Sequence, residues 1–496
     1  MTHFQYKNPI LHSDFSDPDV IRHGDFFYMI SSSFNFLPGL PVLRSKNLVQ
    51  WELVNYIVQD LPFEEFSTVQ AGKGFWAPSI RFHNGLFYCF VPIYGKGIYV
   101  STAENPEGLW SPLHCLVENP GVIDPCPLWT NDEAFLVVGF AKSQCGFNSV
   151  LGLYKMAKDA SCVLGDYSII YDGHFKNPTI EGPKFYEKNG YYYIMAPAGS
   201  VKSGWQTCLR SKNITGPYEE RIVMMQGDTV INGPHQGALV DTPNGDWYFL
   251  HFQDKGPYGR VVLLQPVSWI DDWPLCGTIK EKDLPGNPVT QGIFPVSVEN
   301  PQIDYTDDFS ENSLSLLWQT PANRQSHWYQ LSKGLQLSCL FSEETCVEKL
   351  PNIFTTMFPY ENFMATIQVD ASFLAENERI SFIVLGTESA LLSVRKETNQ
   401  FILQYSETSH QEEKIIFEQN LDSAFCNLGI SVHYAEKNRS FCDFFINDEQ
   451  LPVTLYEAHP GKWVGTRIGF FAQGKSGFGK IMHFSAKKFC KQQNYE

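Results

Sequence analysis

Apolar and polar positions in the first 275 or so residues fall into a recurring phrase. Its copies are Asp17-Pro18-Asp19-Val20-Ile21, Trp76-Ala77-Pro78-Ser79-Ile80, Asp124-Pro125-Cys126-Pro127-Leu128, Glu181-Gly182-Pro183-Lys184-Phe185 and His235-Gln236-Gly237-Ala238-Leu239. Each runs through a polar turn into an aromatic stretch, such as His83-Asn84-Gly85 into Leu86-Phe87-Tyr88, or Lys188-Asn189-Gly190 into Tyr191-Tyr192-Tyr193. A short strand, a tight turn and a second strand make a hairpin, and Asn-Gly suits the positive φ angles of a type I′ turn. The copies begin at 17, 76, 124, 181 and 235. A period near 50 built from hairpins predicts β-propeller blades, whose first strands line a central channel. A β-sandwich with repeated hairpins is the competing arrangement.

The phrase fades after Trp273-Pro274, and residues 286–304 read as a linker. Alternation then resumes in Phe363–Val369, Ile380–Leu385 and Arg467–Phe471, without the fivefold phrase. The expected fold class is therefore all-β: a five-bladed β-propeller over 1–285, a linker over 286–304, and a β-sandwich over 305–496.

At 496 residues the chain is too long for one ordinary core, which agrees with two domains. Aromatic residues make up 15%, suiting strands and sugar-stacking surfaces alike. A net charge of -17 argues against nucleic acid or an anionic membrane surface as partner. No run of about 18 apolar residues is present to span a membrane, and the first residues show no signal peptide. The 12 cysteines form neither Cys-x-x-Cys pairs nor zinc spacings and read as thiols of a reducing compartment, so the expected location is cytoplasmic. A homo-oligomer is compatible with all of this.

If the five copies are equivalent, Asp17, Asp124 and Glu181 converge on the mouth of the channel. Like charges held together raise at least one pKa, leaving an acid beside a base. Two such carboxyls across a sugar ring hydrolyse a glycosidic bond, and a third can orient the acid. Taken singly, Asp17 and Asp124 are ordinary turn residues before proline. Glu181, at the entry to an apolar strand, is harder to assign to packing. Trp76 suits stacking on a sugar face or core packing, and Phe34 suits a second wall or a loop anchor. Trp205 and Gln206 are candidates for the mouth. His235 is a candidate hydrogen-bond partner of an acid or a metal ligand, and Arg260 a partner for acids or hydroxyls.

The ordered set Asn8-Pro9-Ile10-Leu11, Ser16-Asp17-Pro18-Asp19, Ser32-Ser33-Phe34 with Phe36-Leu37-Pro38-Gly39, Phe75-Trp76-Ala77-Pro78, Ile123-Asp124-Pro125, Ile180-Glu181-Gly182-Pro183 and Gly259-Arg260 resembles glycoside hydrolase family 43. Residues from Asp307-Asp308-Phe309 to Trp463-Val464-Gly465 resemble the concanavalin-like sandwich of its β-xylosidase branch. The resemblance implies an inverting mechanism with Asp17 as general base, Glu181 as general acid and Asp124 as the residue that holds the acid and raises its pKa. It puts Phe34, Trp76 and Arg260 at the terminal sugar, and a loop of the second domain across one side of a short, exo-acting pocket. No cofactor is required, but His235 matches a histidine that in some members lies near a structural calcium in the channel. The implied substrate is an oligosaccharide ending in β-D-xylose. An α-L-arabinofuranosidase is the close alternative, and a non-catalytic sugar-binding propeller the alternative of a different class. The chain departs from the family pattern at Ser16 and Asp19, where Pro and Ser are usual in the β-xylosidases, at Cys126-Pro127, and at Pro234-His235. These departures bear on which sugar is accepted.

Overall fold

The computed structural model describes residues 4–342 and 346–489. The expected end of the second domain, Glu496, lies outside them. Five four-stranded antiparallel sheets follow one another along the chain. Blade I comprises Asp19–His23, Phe26–Ile30, Gly39–Ser45 and Glu52–Val58. Blade II comprises Ser79–His83, Leu86–Ile93, Gly97–Ala103 and His114–Val117. Blade III comprises Val122–Trp129, Ala134–Phe140, Val150–Met156 and Ser168–Asp172. Blade IV comprises Lys184–Lys188, Tyr191–Ala198, Trp205–Ser211 and Glu219–Met224. Blade V comprises His235–Asp241, Trp247–Asp254, Arg260–Ile270 and Trp273–Cys276.

The local chemistry accounts for the hairpins. Asn84-Gly85 and Asn189-Gly190 take positive φ at both turn positions, as a type I′ turn demands. The strands they join are apolar on both faces, because each blade is packed between two neighbours. First strands lie against each other around the axis from blade V through I, II and III to IV, and the second strand of blade IV meets the first strand of blade V. The ring is tied shut by the N-terminal segment. Gln5–Lys7 pairs with Gln291–Ile293, and the Asn8 side chain bonds both the N–H and the carbonyl of Leu264 in blade V.

Residues 286–304, expected as a linker, are laid along the propeller rather than held free. Gly286 donates to the Val223 carbonyl, Phe294 to that of Phe4, and the Asn300 side chain to that of Gln50. The sandwich follows from Thr306. Its two antiparallel sheets enclose a core that includes Trp318, Phe354, Phe470 and Phe484. The expected strands appear as Phe363–Asp370, Arg379–Leu385 and Arg467–Gln473, the first alternating buried and half-buried along its length.

The sandwich core continues into the propeller through Tyr258, Val261 and Leu263. Two backbone bonds join Leu37 to Thr320, the Tyr258 hydroxyl donates to the Glu361 carbonyl, and the Arg467 guanidinium lies 4.0 Å from the Phe36 ring centre. Among the described residues, no helix is long and apolar enough to cross a membrane.

Candidate active site

The strand register shows where each phrase meets the channel. Regular pairing runs from Asp19↔Ile30, Ser79↔Phe90, Cys126↔Val137 and Lys184↔Met195; in blade V, where it starts one residue earlier at Gly237↔His251, the matching pair is Ala238↔Leu250. The residue before each is Pro18, Pro78, Pro125, Pro183 or Gly237, and four of these five lack an N–H to pair. One step further back stand Asp17, Ala77, Asp124, Gly182 and Gln236, which we call the rim position. Asp17 (φ 54°), Asp124 (φ 54°), Gly182 (φ 56°) and Gln236 (φ 27°) all take left-handed backbone there. Residues other than Gly, Asn and Asp rarely adopt it. It turns the chain from the loop into the blade.

This corrects the equivalence expected for the acids. Asp17 and Asp124 occupy the same repeat position, but Glu181, Trp76 and His235 lie one residue ahead of it. Aligning the prolines, rather than the first notable residue of each phrase, gives the proper register. Both positions serve the site. A cavity of about 160 Å³ is lined at the rim by Asp17, Ala77, Asp124 and Gln236, and one residue ahead by Trp76, Ile123 and Glu181. Phe34, Val201, Arg260 and Trp463 complete it.

Asp17 is buried. The Ser32 hydroxyl donates to its Oδ2 at 2.5 Å, while Arg260 Nη1 stands 3.4 and 3.5 Å from its two oxygens. The long arginine contact is an ion pair rather than a tight hydrogen bond, and Asp17 lines the cavity. Asp124 accepts the Gly182 N–H at 2.8 Å. Burial, then the negative charge of Glu181, push its pKa from 3.8 up to about 7, while the Gly182 N–H opposes and Asp17 adds to the rise. Glu181 keeps 40% of its side chain exposed to the cavity, and its Oε1 pairs with His235 Nε2 at 2.9 Å. Asp124 is the more deeply buried of the two carboxyls.

Trp76 is half-buried, its ring 5.0 Å from that of Tyr94 and its indole N–H donating to the Gly72 carbonyl. Phe34 is buried at φ 51° and bridged to Phe75. The Arg260 guanidinium is boxed by Phe252, Trp463 and Phe34 at 4.9, 5.9 and 6.0 Å from the ring centres. Trp463 belongs to the sandwich, so the second domain supplies one wall. Its loop is fixed by Asp14, a buried carboxylate that accepts the N–H groups of Arg260 and Gly465, each at 2.8 Å. A Cβ at Gly259 would lie 2.3 Å from the Asp14 carboxyl carbon, so glycine is needed for that approach.

Trp205 and Gln206 are not among the lining residues. They open the third strand of blade IV, two strands out from the axis. Trp205 donates its indole N–H to Asn177, and Gln206 is fully buried. Their loop does reach the cavity, through Val201.

The departures at Asp19 and Cys126 lie below the cavity, among Asp19, Ser79, Cys126, Lys184 and Ala238, which are all fully buried. Arg81 joins them, with Nη1 2.7 Å from Asp19 and Nη2 2.8 Å from the Cys126 sulfur.

His235 is the candidate calcium ligand. Its Nε2 is engaged by Glu181 and its Nδ1 has no hydrogen bond. Calcium takes six to eight oxygens. Among the described residues, no group of three or more His, Cys, Asp or Glu is placed to hold a metal ion. The residues present do not fit a protein-built calcium site.

The family model for glycosyl hydrolases family 43 matches residues 6–274, and that for the beta xylosidase C-terminal concanavalin A-like domain matches 306–488. A putative beta-xylosidase of Xylanibacter ruminicola is 43% identical over 327 residues, 65% of this chain and 60% of that one. A non-reducing end alpha-L-arabinofuranosidase of Bacteroides ovatus is 30% identical over 355 residues, 66% of this chain and 63% of that one. The chain spans about 60% of the length of the first curated relatives it matches. The crystal structure of a xylan beta-1,4-xylosidase from Bacillus halodurans superposes with a TM-score of 0.85 at 22% identity, over 97% of this chain and 100% of that one, a likeness of fold.

Proposed function

The chain belongs to glycosyl hydrolase family 43, and on that premise we propose that it is an inverting, exo-acting glycosidase. Its proposed substrate is a terminal pentose, β-D-xylose, on xylo-oligosaccharides or hemicellulose side chains. One observation carries the reading: three carboxyls from blades I, III and IV line one cavity, with Trp76, Phe34 and Trp463 around them. A cavity walled by three aromatic rings, with three carboxyls, Arg260 and Gln236 facing into it, suits one sugar ring.

In this reading Asp17 is the general base. Ser32 holds one of its oxygens, and its open face takes a proton from the water that attacks the anomeric carbon. Glu181 is the general acid and delivers its proton to the leaving oxygen as the C–O bond breaks. His235 orients the Glu181 carboxyl. Asp124, anchored by the Gly182 N–H, adds negative charge beside the acid. Arg260 offers its remaining N–H groups to sugar hydroxyls, and Trp463 shortens the pocket so that chain ends enter.

Arabinofuranosidase activity is kept as a second reading because a relative of nearly the same coverage carries that name. The test is incubation with aryl β-D-xyloside and aryl α-L-arabinofuranoside, wild type against Glu181→Ala. Wild type should release aglycone, from the xyloside faster, and the variant should lose about 10²- to 10⁴-fold. A wild type that binds sugars but cleaves neither would leave a sugar-binding propeller.

A further inference from the structure

Gln236 stands at the rim position shared with Asp17 and Asp124, yet neither catalytic role uses it. It lies where the blade V ladder breaks register between His235 and Gly237, as Asp124 lies at the break between Ile123 and Cys126. Such an inserted residue re-aims a side chain and is common beside active sites. Its φ of 27° is one that a glutamine rarely takes.

The residue is 4% exposed and lines the cavity, and its Nε2 has no hydrogen-bond partner. A buried amide nitrogen without a partner calls for an explanation, and a ligand is one. The space it occupies is built for it. A Cβ on Gly182 would meet Gln236 Cγ, Cδ and Nε2 at 2.7, 2.8 and 2.9 Å. The amide therefore lies over the Gly182 backbone, next in sequence to Glu181 and bonded through its N–H to Asp124.

We propose that the Gln236 carboxamide hydrogen-bonds a hydroxyl of the terminal sugar, and so determines which sugar is held over Glu181. The inference rests on the glycosidase reading and adds a named specificity residue to it. A carboxamide can donate from nitrogen and accept at oxygen, so it matches a hydroxyl in either sense.

The experiment compares wild type, Gln236→Ala and Gln236→Asn on aryl β-D-xyloside and on its 2-, 3- and 4-deoxy analogues, with melting temperatures in parallel. Gln236→Ala should lower kcat/KM on the parent about 10- to 100-fold. It should leave one deoxy analogue, the one lacking the partner hydroxyl, cleaved at the wild-type rate, with melting unchanged or raised. Gln236→Asn should recover part of the loss on the parent. An undiminished parent rate, or an equal loss on every analogue, would overturn the inference. If wild type cleaves no aryl glycoside, the glycosidase reading fails by itself. Calorimetric binding of D-xylose and L-arabinose then decides: weaker binding by Gln236→Ala supports the inference, and equal binding rejects it.

Discussion

Replacing Asp124 by Asn should make the protein more stable at pH 8 and nearly inactive. Asp124 has a folded pKa of about 7 against 3.8 for the free side chain, chiefly because it is buried and secondly because Glu181 is near. A raised carboxyl pKa means that the folded state binds more protons than the unfolded chain. The contribution to stability is full below about pH 3.8, declines as pH rises toward 7, and stays lost above it. Three units correspond to about 4 kcal/mol. Asn keeps an acceptor for the Gly182 N–H and tolerates the left-handed backbone, but forfeits about 1 kcal/mol of charge-assisted bonding. The net gain expected at pH 8 is about 1–3 kcal/mol, with no gain at pH 4.5. Urea midpoints of wild type and Asp124→Asn at pH 4.5, 6 and 8 give the answer: titrating groups remote from Asp124 cancel in the difference, whereas Glu181, whose charge acts on Asp124, does not. A difference that is the same at all three pH values would refute the argument, as would a wild type that gains on the variant as pH rises.

Trp463→Ala removes the sandwich's wall of the cavity and one of the rings around Arg260, so KM on aryl β-D-xyloside should rise about tenfold with a smaller change in kcat, read from steady-state kinetics. Asp14→Ala leaves the N–H groups of Arg260 and Gly465 without their acceptor at the domain junction, and should cost about 2–4 kcal/mol by urea unfolding. Asp14→Asn should recover part of it. Ser32→Ala strips the hydroxyl from Asp17 Oδ2 and should lower kcat/KM about tenfold, while melting moves little.

The architecture was readable because the phrase, the Asn-Gly turns and the aromatic strands all report the same hairpin. The register was missed by one residue, although the prolines at 18, 78, 125 and 183 carried it. A proline with no N–H to pair marks the start of the ladder better than the side chain that catches attention. Trp205 and Gln206, expected at the mouth, stand on the third strand of blade IV, two strands from the axis. Gln236 was passed over beside His235, since its meaning comes from a break in register and a missing partner, neither of which shows in a linear chain. Asp14 is 451 positions from Gly465. No local pattern announces so distant a bond.

The central claim is that Asp17 directs water onto the anomeric carbon while Glu181 protonates the leaving oxygen from the opposite side. Proton NMR of the first sugar released from aryl β-D-xyloside, followed before mutarotation, tests it most directly. The account predicts α-xylose as the initial product. Initial β-xylose would contradict it and would make Asp17 a nucleophile instead of a base.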